Sequence, residues 1–172
     1  MTTADDGFTA LFQAEYPRVV RAVQVMLHDR PAAEDVAQEA FTQLLRHWRR
    51  IERYERPEVW VRIVAVRLAL RRERRARIGR LLEWRSARIE LVDGDWSTHV
   101  DILRAVSALP PRQRAVVALF YLEDRPLAEV AEMVGCSPST ASVHLYRARQ
   151  RRAVTLGEAR ALPAEEVVSD VG

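Results

Sequence analysis

Apolar residues recur every three or four positions along almost the whole chain, and no stretch shows the strict alternation of a half-buried strand. The pattern predicts three helices in the first part, beginning near Phe8, at Pro31 and at Pro57. The second helix has an apolar stripe formed by Ala33, Val36, Ala37, Ala40, Phe41, Leu44, Leu45 and Trp48. The third has its apolar residues at Trp60, Ile63, Val64, Leu68 and Leu70. Such stripes can bury one another, so residues 8–78 are predicted to form a small three-helix domain.

The helical pattern is interrupted between residues 79 and 100 and returns over residues 101–157. Pro110-Pro111 and Asp124-Arg125-Pro126 divide this second part into short helices. Residues 79–100 are interpreted as a flexible linker with a short helix near Leu81 to Arg88, and residues 158–172 as a frayed acidic tail. The predicted fold is therefore all-α, with two small helical domains joined by the linker.

A helix-turn-helix is predicted between Leu127 and Arg152. Its first helix has an apolar stripe at Leu127, Val130, Ala131 and Val134. Gly135 follows, the residue best suited to a left-handed helix end. Ser137 then stands where an N-cap belongs, with Pro138 at the first position of the next helix.

The second helix of this motif separates small apolar residues from polar ones. At about 100° per residue, Ala141, Leu145 and Ala148 face the core. The opposite face suits the DNA major groove, with early side chains at base edges and later arginines on phosphates. The predicted DNA contacts are Ser139, Thr140, Ser142, Val143, Tyr146, Arg147, Arg149, Gln150 and Arg151. A plain helical hairpin with a basic tail is the alternative interpretation.

Charge is distributed unevenly along the chain. Residues 1–40 hold 3 arginines against 7 acidic residues, whereas residues 41–90 hold 15 arginines against 6. A smaller basic excess lies in residues 112–160, and there is no lysine. Two basic blocks favour a polyanionic partner over the alternative of solvated helix faces.

Other function classes find little support in the sequence. The four histidines are dispersed, and there is no HExxH spacing, Gly-rich phosphate loop or GxSxG. We therefore expect no enzyme, no cofactor and no metal. The single cysteine, Cys136, indicates a reducing compartment and is interpreted as a small packed residue. With no signal peptide and no apolar run of about 20 residues, a cytoplasmic protein without direct membrane insertion is expected.

Four stretches carry a resemblance to a known family. They are AEDVAQEAF at 33–41, WVRIVAVRLAL at 60–70, ALPPRQR at 108–114 and the helix-turn-helix ending in LYRAR at 145–149. Together, over roughly residues 8–156, they resemble the small two-domain sigma-70 factors of the extracytoplasmic-function (ECF) group. The resemblance implies a region 2 at 8–78, which binds core polymerase and the −10 promoter element, and a region 4 at 101–157, which reads the −35 element.

The resemblance also implies residue roles. Docking on the clamp helices of the RNA polymerase core is assigned to Glu34, Asp35, Gln38, Glu39 and Thr42. The −10 contacts are assigned to Tyr54, Trp60, Arg62, Arg67, Arg71, Arg74 and Arg75. Trp60 is alternatively a core residue, and the acidic face is alternatively a merely solvated one. Promoter DNA is then the second partner. An anti-sigma factor is a third that the family often uses, although nothing in the sequence shows one.

The chain departs from the usual family pattern at its reading positions. Arg67 stands where an Asn is usual, Arg71 where an acid is usual, and Ser142 where Lys or Arg is frequent. Val143 and His144 replace a polar and basic pair. The chain's own promoter preference is expected to lie at these positions. The rival function is a stand-alone helix-turn-helix regulator, which would leave the acidic helix and the Arg-rich helix unexplained.

Overall fold

The computed structural model describes residues 3–82 and 106–156. The first half contains α1 (Thr3–Leu27), α2 (Arg30–Arg46), the single turn α3 (Trp48–Ile51) and α4 (Pro57–Leu82). The second half contains α5 (Pro111–Val117), a π-helical segment (Ala118–Leu122), α6 (Leu127–Val134) and α7 (Pro138–Leu156). The described residues form no strand, and the all-α fold is confirmed.

The first half is a bundle of α1, α2 and α4 around an aromatic and aliphatic core. Asp29 caps α2 by accepting a hydrogen bond from the Ala32 amide at 2.8 Å, and Pro31 lies in the first turn as predicted. The Phe12 and Phe41 rings meet edge to face with centroids 5.0 Å apart. Trp48, the first residue of α3, is buried and meets the Phe8 ring. These contacts hold α2 in a fixed orientation, with its polar face outward.

The structure differs from the predicted stripes at two places. Leu45 is 54% exposed, although it was placed in the buried stripe of α2. In α4 the fully buried residues are Val61, Ala65, Val66 and Ala69, whereas the predicted stripe residues are only partly buried. The reason is that α4 packs against helices of both halves, so its most buried side faces a direction that helical spacing alone does not define. The helix also extends to Leu82, beyond residue 78.

The helix-turn-helix forms as predicted. Gly135 ends α6 in the left-handed region, at φ 73° and ψ 49°. The Cys136 amide then donates to the Ala131 carbonyl at 2.9 Å, which closes the turn. Ser137 accepts a hydrogen bond from the Thr140 amide at 3.1 Å and so caps α7. Ala141, Leu145 and Ala148 are buried, which confirms the core side of α7.

The two halves pack against each other. α1 and α4 of the first half contact α5, the π-helical segment and α6 of the second. Val19, Val23 and Val66 come together with Leu119 around a small cavity at this contact. The sequence predicted two domains on a linker and gave no sign of this interface. Most of the predicted linker and all of the predicted tail lie outside the described residues.

Candidate DNA and polymerase interfaces

The predicted reading face of α7 is exposed to solvent. Val143 and Tyr146 are 44% and 55% exposed, and Arg147 and Gln150 are also exposed. Ser139 and Thr140 are exposed too, and each has its hydroxyl within 2.9 Å of the Ser137 hydroxyl. Ser142 is half-buried, and the side chain of Arg151 lies outside the described residues. The helix therefore presents a polar and aromatic surface with arginine at its later turns.

Arg149 is held by a residue that the sequence did not single out. Its Nε donates to the Tyr121 hydroxyl at 2.8 Å, and its guanidinium lies 5.9 Å from the centre of the Tyr121 ring. Tyr121 belongs to the π-helical segment and is itself 47% exposed. The contact joins positions 28 residues apart, so no local signal could have indicated it. It extends the surface of α7 onto the preceding segment.

His144 occupies one of the unusual reading positions, but it is half-buried. Burial, followed by the charges of Arg112 and Arg147, lowers the pKa of His144. The imidazole is therefore neutral at pH 7 and adds no positive charge to the reading face.

The predicted docking face is on the outward side of α2. Asp35, Gln38, Glu39 and Thr42 are exposed, and Glu34 is half-buried. Arg30 pairs with Glu34 at 3.0 Å, and Asp35 lies 3.5 Å from Arg72 of α4. The exposed Leu45 lies in the same row as Gln38 and Thr42, one or two turns further along. The face thus combines exposed carboxylates and amides with one large apolar side chain.

The predicted −10 residues fall into two environments. Arg67, Arg71, Arg74 and Arg75 are exposed along α4, and Tyr54 is 43% exposed in the loop before it. Trp60 is half-buried, with its ring centre 6.2 Å from that of His47. This position agrees with both of its interpretations. The exposed residues form a basic surface adjoining the acidic face of α2.

Arg62 does not lie on that surface, contrary to the prediction. It is 3% exposed and pairs with Glu15 of α1 and, at 3.2 Å, with Glu123 after the π-helical segment. Its place one residue after the fully buried Val61 directs it between the halves rather than toward solvent. In this arrangement Arg62 cannot contact DNA. Its assignment to the −10 surface has no support from the packing.

The two carboxyls beside Arg62 have shifted acidity. Burial, and then the charge of Glu15, raises the pKa of Glu123 to about 7 against the opposing effect of Arg18 and Arg21. Burial also raises the pKa of Glu15. Glu15 and Glu123 are separated by more than one hundred residues in the sequence, so only the fold brings them together.

Neither a metal centre nor a membrane span is found in the part of the chain that the structure describes. Within residues 3–82 and 106–156, no group of three or more His, Cys, Asp or Glu is placed to hold a metal ion. Over the same residues, no helix is both long and apolar enough to cross a bilayer.

Both halves of the chain match models of known protein families. Residues 11–78 match the model of sigma-70 region 2, and residues 99–151 match that of sigma-70 region 4. The chain is 30% identical over 160 residues to the RNA polymerase sigma factor CarQ of Myxococcus xanthus, covering 90% of this chain and 92% of that one. It is 29% identical over 121 residues to the sigma factor SigV of Bacillus subtilis, covering 67% and 70%.

A solved structure shares the fold. It is the sigma factor RpoE in complex with the anti-sigma factor NepR from Bartonella quintana, with a TM-score of 0.69 at 19% identity. The match covers 89% of this chain and 98% of that one. The family models and the similarity to CarQ, rather than this likeness, decide the assignment. The chain belongs to the sigma-70 family of bacterial RNA polymerase sigma factors, in its extracytoplasmic-function group.

Proposed function

We propose that this sigma factor docks on the clamp helices of core RNA polymerase through the polar face of α2 and reads promoters through two separate surfaces. The −10 surface is formed by Tyr54 and the exposed arginines of α4, and the −35 surface by the outward face of α7. The protein acts as a binding subunit without catalysis of its own, and it works in the cytoplasm with the polymerase. An anti-sigma factor is a further partner that its family suggests.

The segregation of charge on the surface is the observation that carries the proposal. The outward face of α2 exposes Asp35 and Glu39, while α4 and α7 expose arginines. DNA attracts the arginines through its phosphates and repels carboxylates. A surface meant only for DNA would not keep an acidic face beside an arginine row. A protein partner accounts for the first surface, and DNA for the second.

Reconstitution tests the function directly. With core polymerase and a randomised promoter library, the purified protein is expected to start run-off transcription from a defined set of promoters. Omitting the protein should abolish these starts. The sigma assignment fails if no promoter is used, and a palindromic footprint made by the protein alone would instead support the stand-alone regulator.

Charge reversal tests the docking face. The double variant D35R/E39R should bind core polymerase at least about tenfold more weakly, because each change places arginine where the proposed contact uses a carboxylate. Folding should be preserved, since both side chains are exposed and the Asp35–Arg72 pair is a surface ion pair. The matched control, D6R/E132R, makes the same charge change at exposed acids outside this face. Equal affinity of the two double variants would remove the docking assignment.

A further inference from the structure

A tyrosine outside the helix-turn-helix holds an arginine of the recognition helix. Tyr121 lies in the π-helical segment before α6, and its hydroxyl accepts a hydrogen bond from Nε of Arg149 at 2.8 Å. The guanidinium lies 5.9 Å from the centre of the Tyr121 ring, near the outer limit of a cation–π contact, which is about 6 Å. The hydrogen bond is therefore the main contact between the two side chains, which we call the Tyr121–Arg149 pair.

The ring of Tyr121 is itself fixed in position. It meets the Phe120 ring edge to face, with centroids 5.1 Å apart and an angle of 87° between the ring planes. Phe120 packs in turn against the core of the protein. The ring contact and the hydrogen bond together restrict the rotamers of Tyr121. Arg149 is thus held in one orientation before any ligand binds, which reduces the entropy that binding has to overcome.

Both side chains of the pair keep donors for a ligand. Arg149 uses Nε for Tyr121, which leaves its terminal nitrogens, and the Tyr121 hydroxyl still has its own hydrogen to donate. In the described part of the chain, no carboxylate forms an ion pair with Arg149. Because its partner is a neutral phenol, the positive charge of the guanidinium is not neutralised. The pair therefore presents N–H and O–H donors with a net positive charge, which suits an anionic oxygen.

The pair lies at the edge of the proposed reading face of α7. Arg149 follows Tyr146 by three residues, so the two side chains are neighbours on the helix surface, and Tyr146 and Tyr121 are both exposed. At about 100° per residue, Arg149 lies about 60° from Tyr146, on the side of the buried Leu145. It is therefore placed beside the base-reading residues rather than among them. Phosphates flank the bases of a groove, and contacts to them fix the register of a protein on the duplex.

We propose that Tyr121 and Arg149 together bind one phosphate of the DNA backbone beside the −35 element, and that Tyr121 is the positioning residue for the guanidinium. The proposal rests on the proposed function for the placement of α7 on promoter DNA. It adds to the −35 surface a residue that precedes the helix-turn-helix and that helps to set the register of α7. A carboxylate of a protein partner offers a similar charge, but the adjoining reading face favours a phosphate.

Neutralising single phosphates tests the proposal. Promoter binding by the holoenzyme (core polymerase with this protein) is measured on duplexes in which one phosphate at a time, near the −35 element, is replaced by an uncharged methylphosphonate. One such replacement should weaken binding of the original protein and have no effect on R149A, which has already lost that contact. R149A should also lower the slope of affinity against salt by about 1. The control R46A removes an exposed arginine at the end of α2 and should keep the original pattern.

Y121F separates positioning from folding. It keeps the ring against Phe120 and removes only the hydroxyl, so its thermal unfolding should match that of the original protein. Its promoter affinity should fall about two- to tenfold, as for the loss of one hydrogen bond, whereas its salt slope should stay the same because Arg149 keeps its charge. Adding Y121F to R149A should have little further effect, since no guanidinium is left to position. Y16F removes the hydroxyl of a tyrosine in α1 and should bind promoter as the original protein does.

Two results would overturn the proposal. The first is the same methylphosphonate pattern for R149A and the original protein, and weaker binding of R149A to core polymerase alone would then assign the pair to that partner. The second is a promoter affinity of Y121F equal to that of the original protein, or an equal loss from Y121F with and without R149A. Failure of the proposed function is distinguishable from both, because the original holoenzyme would then bind no promoter.

Discussion

The arginines of α4 show how environment divides one residue type between two roles. Arg67 and Arg71 are exposed and keep their donors for a ligand. Arg62 is buried, and its Nε and Nη1 have no hydrogen-bond partner in the protein. A buried guanidinium with unsatisfied donors costs free energy that its ion pairs offset only in part. Arg62 therefore contributes more to the specificity of the packing between the two halves than to its stability.

A second residue-scale feature is the cap of the recognition helix. Ser137 accepts from the Thr140 amide at 3.1 Å, so S137A leaves that amide without its side-chain partner. We expect a loss of about 1 kcal/mol in the free energy of unfolding of region 4, measured by thermal or urea denaturation. S137D keeps a capping oxygen and should retain most of the stability. A midpoint for S137A equal to that of the original protein would contradict this role of the cap.

At the scale of elements, the sequence predicted the parts of the molecule that local signals define. Gly135, Ser137 and Pro138 lie within four residues of one another, and they gave the turn, the cap and the start of α7. Asp29 and Pro31 did the same for α2. Each of these residues acts on the backbone next to it, so the local structure that it favours depends little on tertiary packing.

Elements that depend on distant partners were missed. The short helix predicted between Pro110-Pro111 and Asp124-Arg125-Pro126 ends as a π-helical segment, whose Tyr121 binds Arg149 of α7. The most buried side of α4 was misjudged because two sets of helices cover it. Arg62 is buried for the same reason: it lies between α1 and the second half, and helical spacing could not indicate that second partner. Residue roles carried over from the family describe the protein bound to polymerase and DNA. In this structure the packing of the two halves against each other determines which of those residues are exposed.

The recognition helix makes a prediction at the same scale. Arg147 is exposed on the reading face, whereas Arg149 is engaged by Tyr121. If Arg147 contacts a base edge, R147A should reduce −35-dependent promoter affinity by about 1–3 kcal/mol. If it contacts phosphate, the variant should instead lower the slope of affinity against salt by about 1. The measurement is promoter binding by the holoenzyme across a salt series.

R46A is the matched control, because Arg46 is an exposed arginine at the end of α2, outside the proposed DNA surfaces. Promoter binding by R46A should equal that of the original protein. If R147A changes neither the affinity nor the salt slope, Arg147 does not belong to the reading face.

At the scale of the whole molecule, the contact that α1 and α4 make with the second half buries titratable groups, so its closed form is expected to depend on pH. Glu123 has a pKa of about 7 in the closed arrangement, compared with an ordinary value of 4.5. Facing it are Glu15, Arg18 and Arg21 of α1 and Arg62 of α4. His28 at the end of α1 acts in the opposite direction, since burial, and then Arg114, lowers the pKa of His28 to about 4. Both groups would move toward their ordinary values if opening exposed them.

The sign of the pH dependence follows from these shifts. The closed form binds a proton at Glu123 more tightly than the open form does, so raising the pH through about 7 favours opening. His28 favours opening only below about pH 6.5, because above its ordinary pKa it is neutral in both forms. Glu123 should therefore dominate from roughly pH 6.5 to just above 7, where the closed population of the original protein is expected to fall, and the profile should level off at higher pH because Glu123 is then ionised in both forms. Spin-label distances between positions 18 and 122 measure that population, and E123Q, which cannot titrate, should show a flat profile over the same window. A slope in E123Q equal to that of the original protein would assign the pH dependence to some other group and leave Glu123 without a part in it.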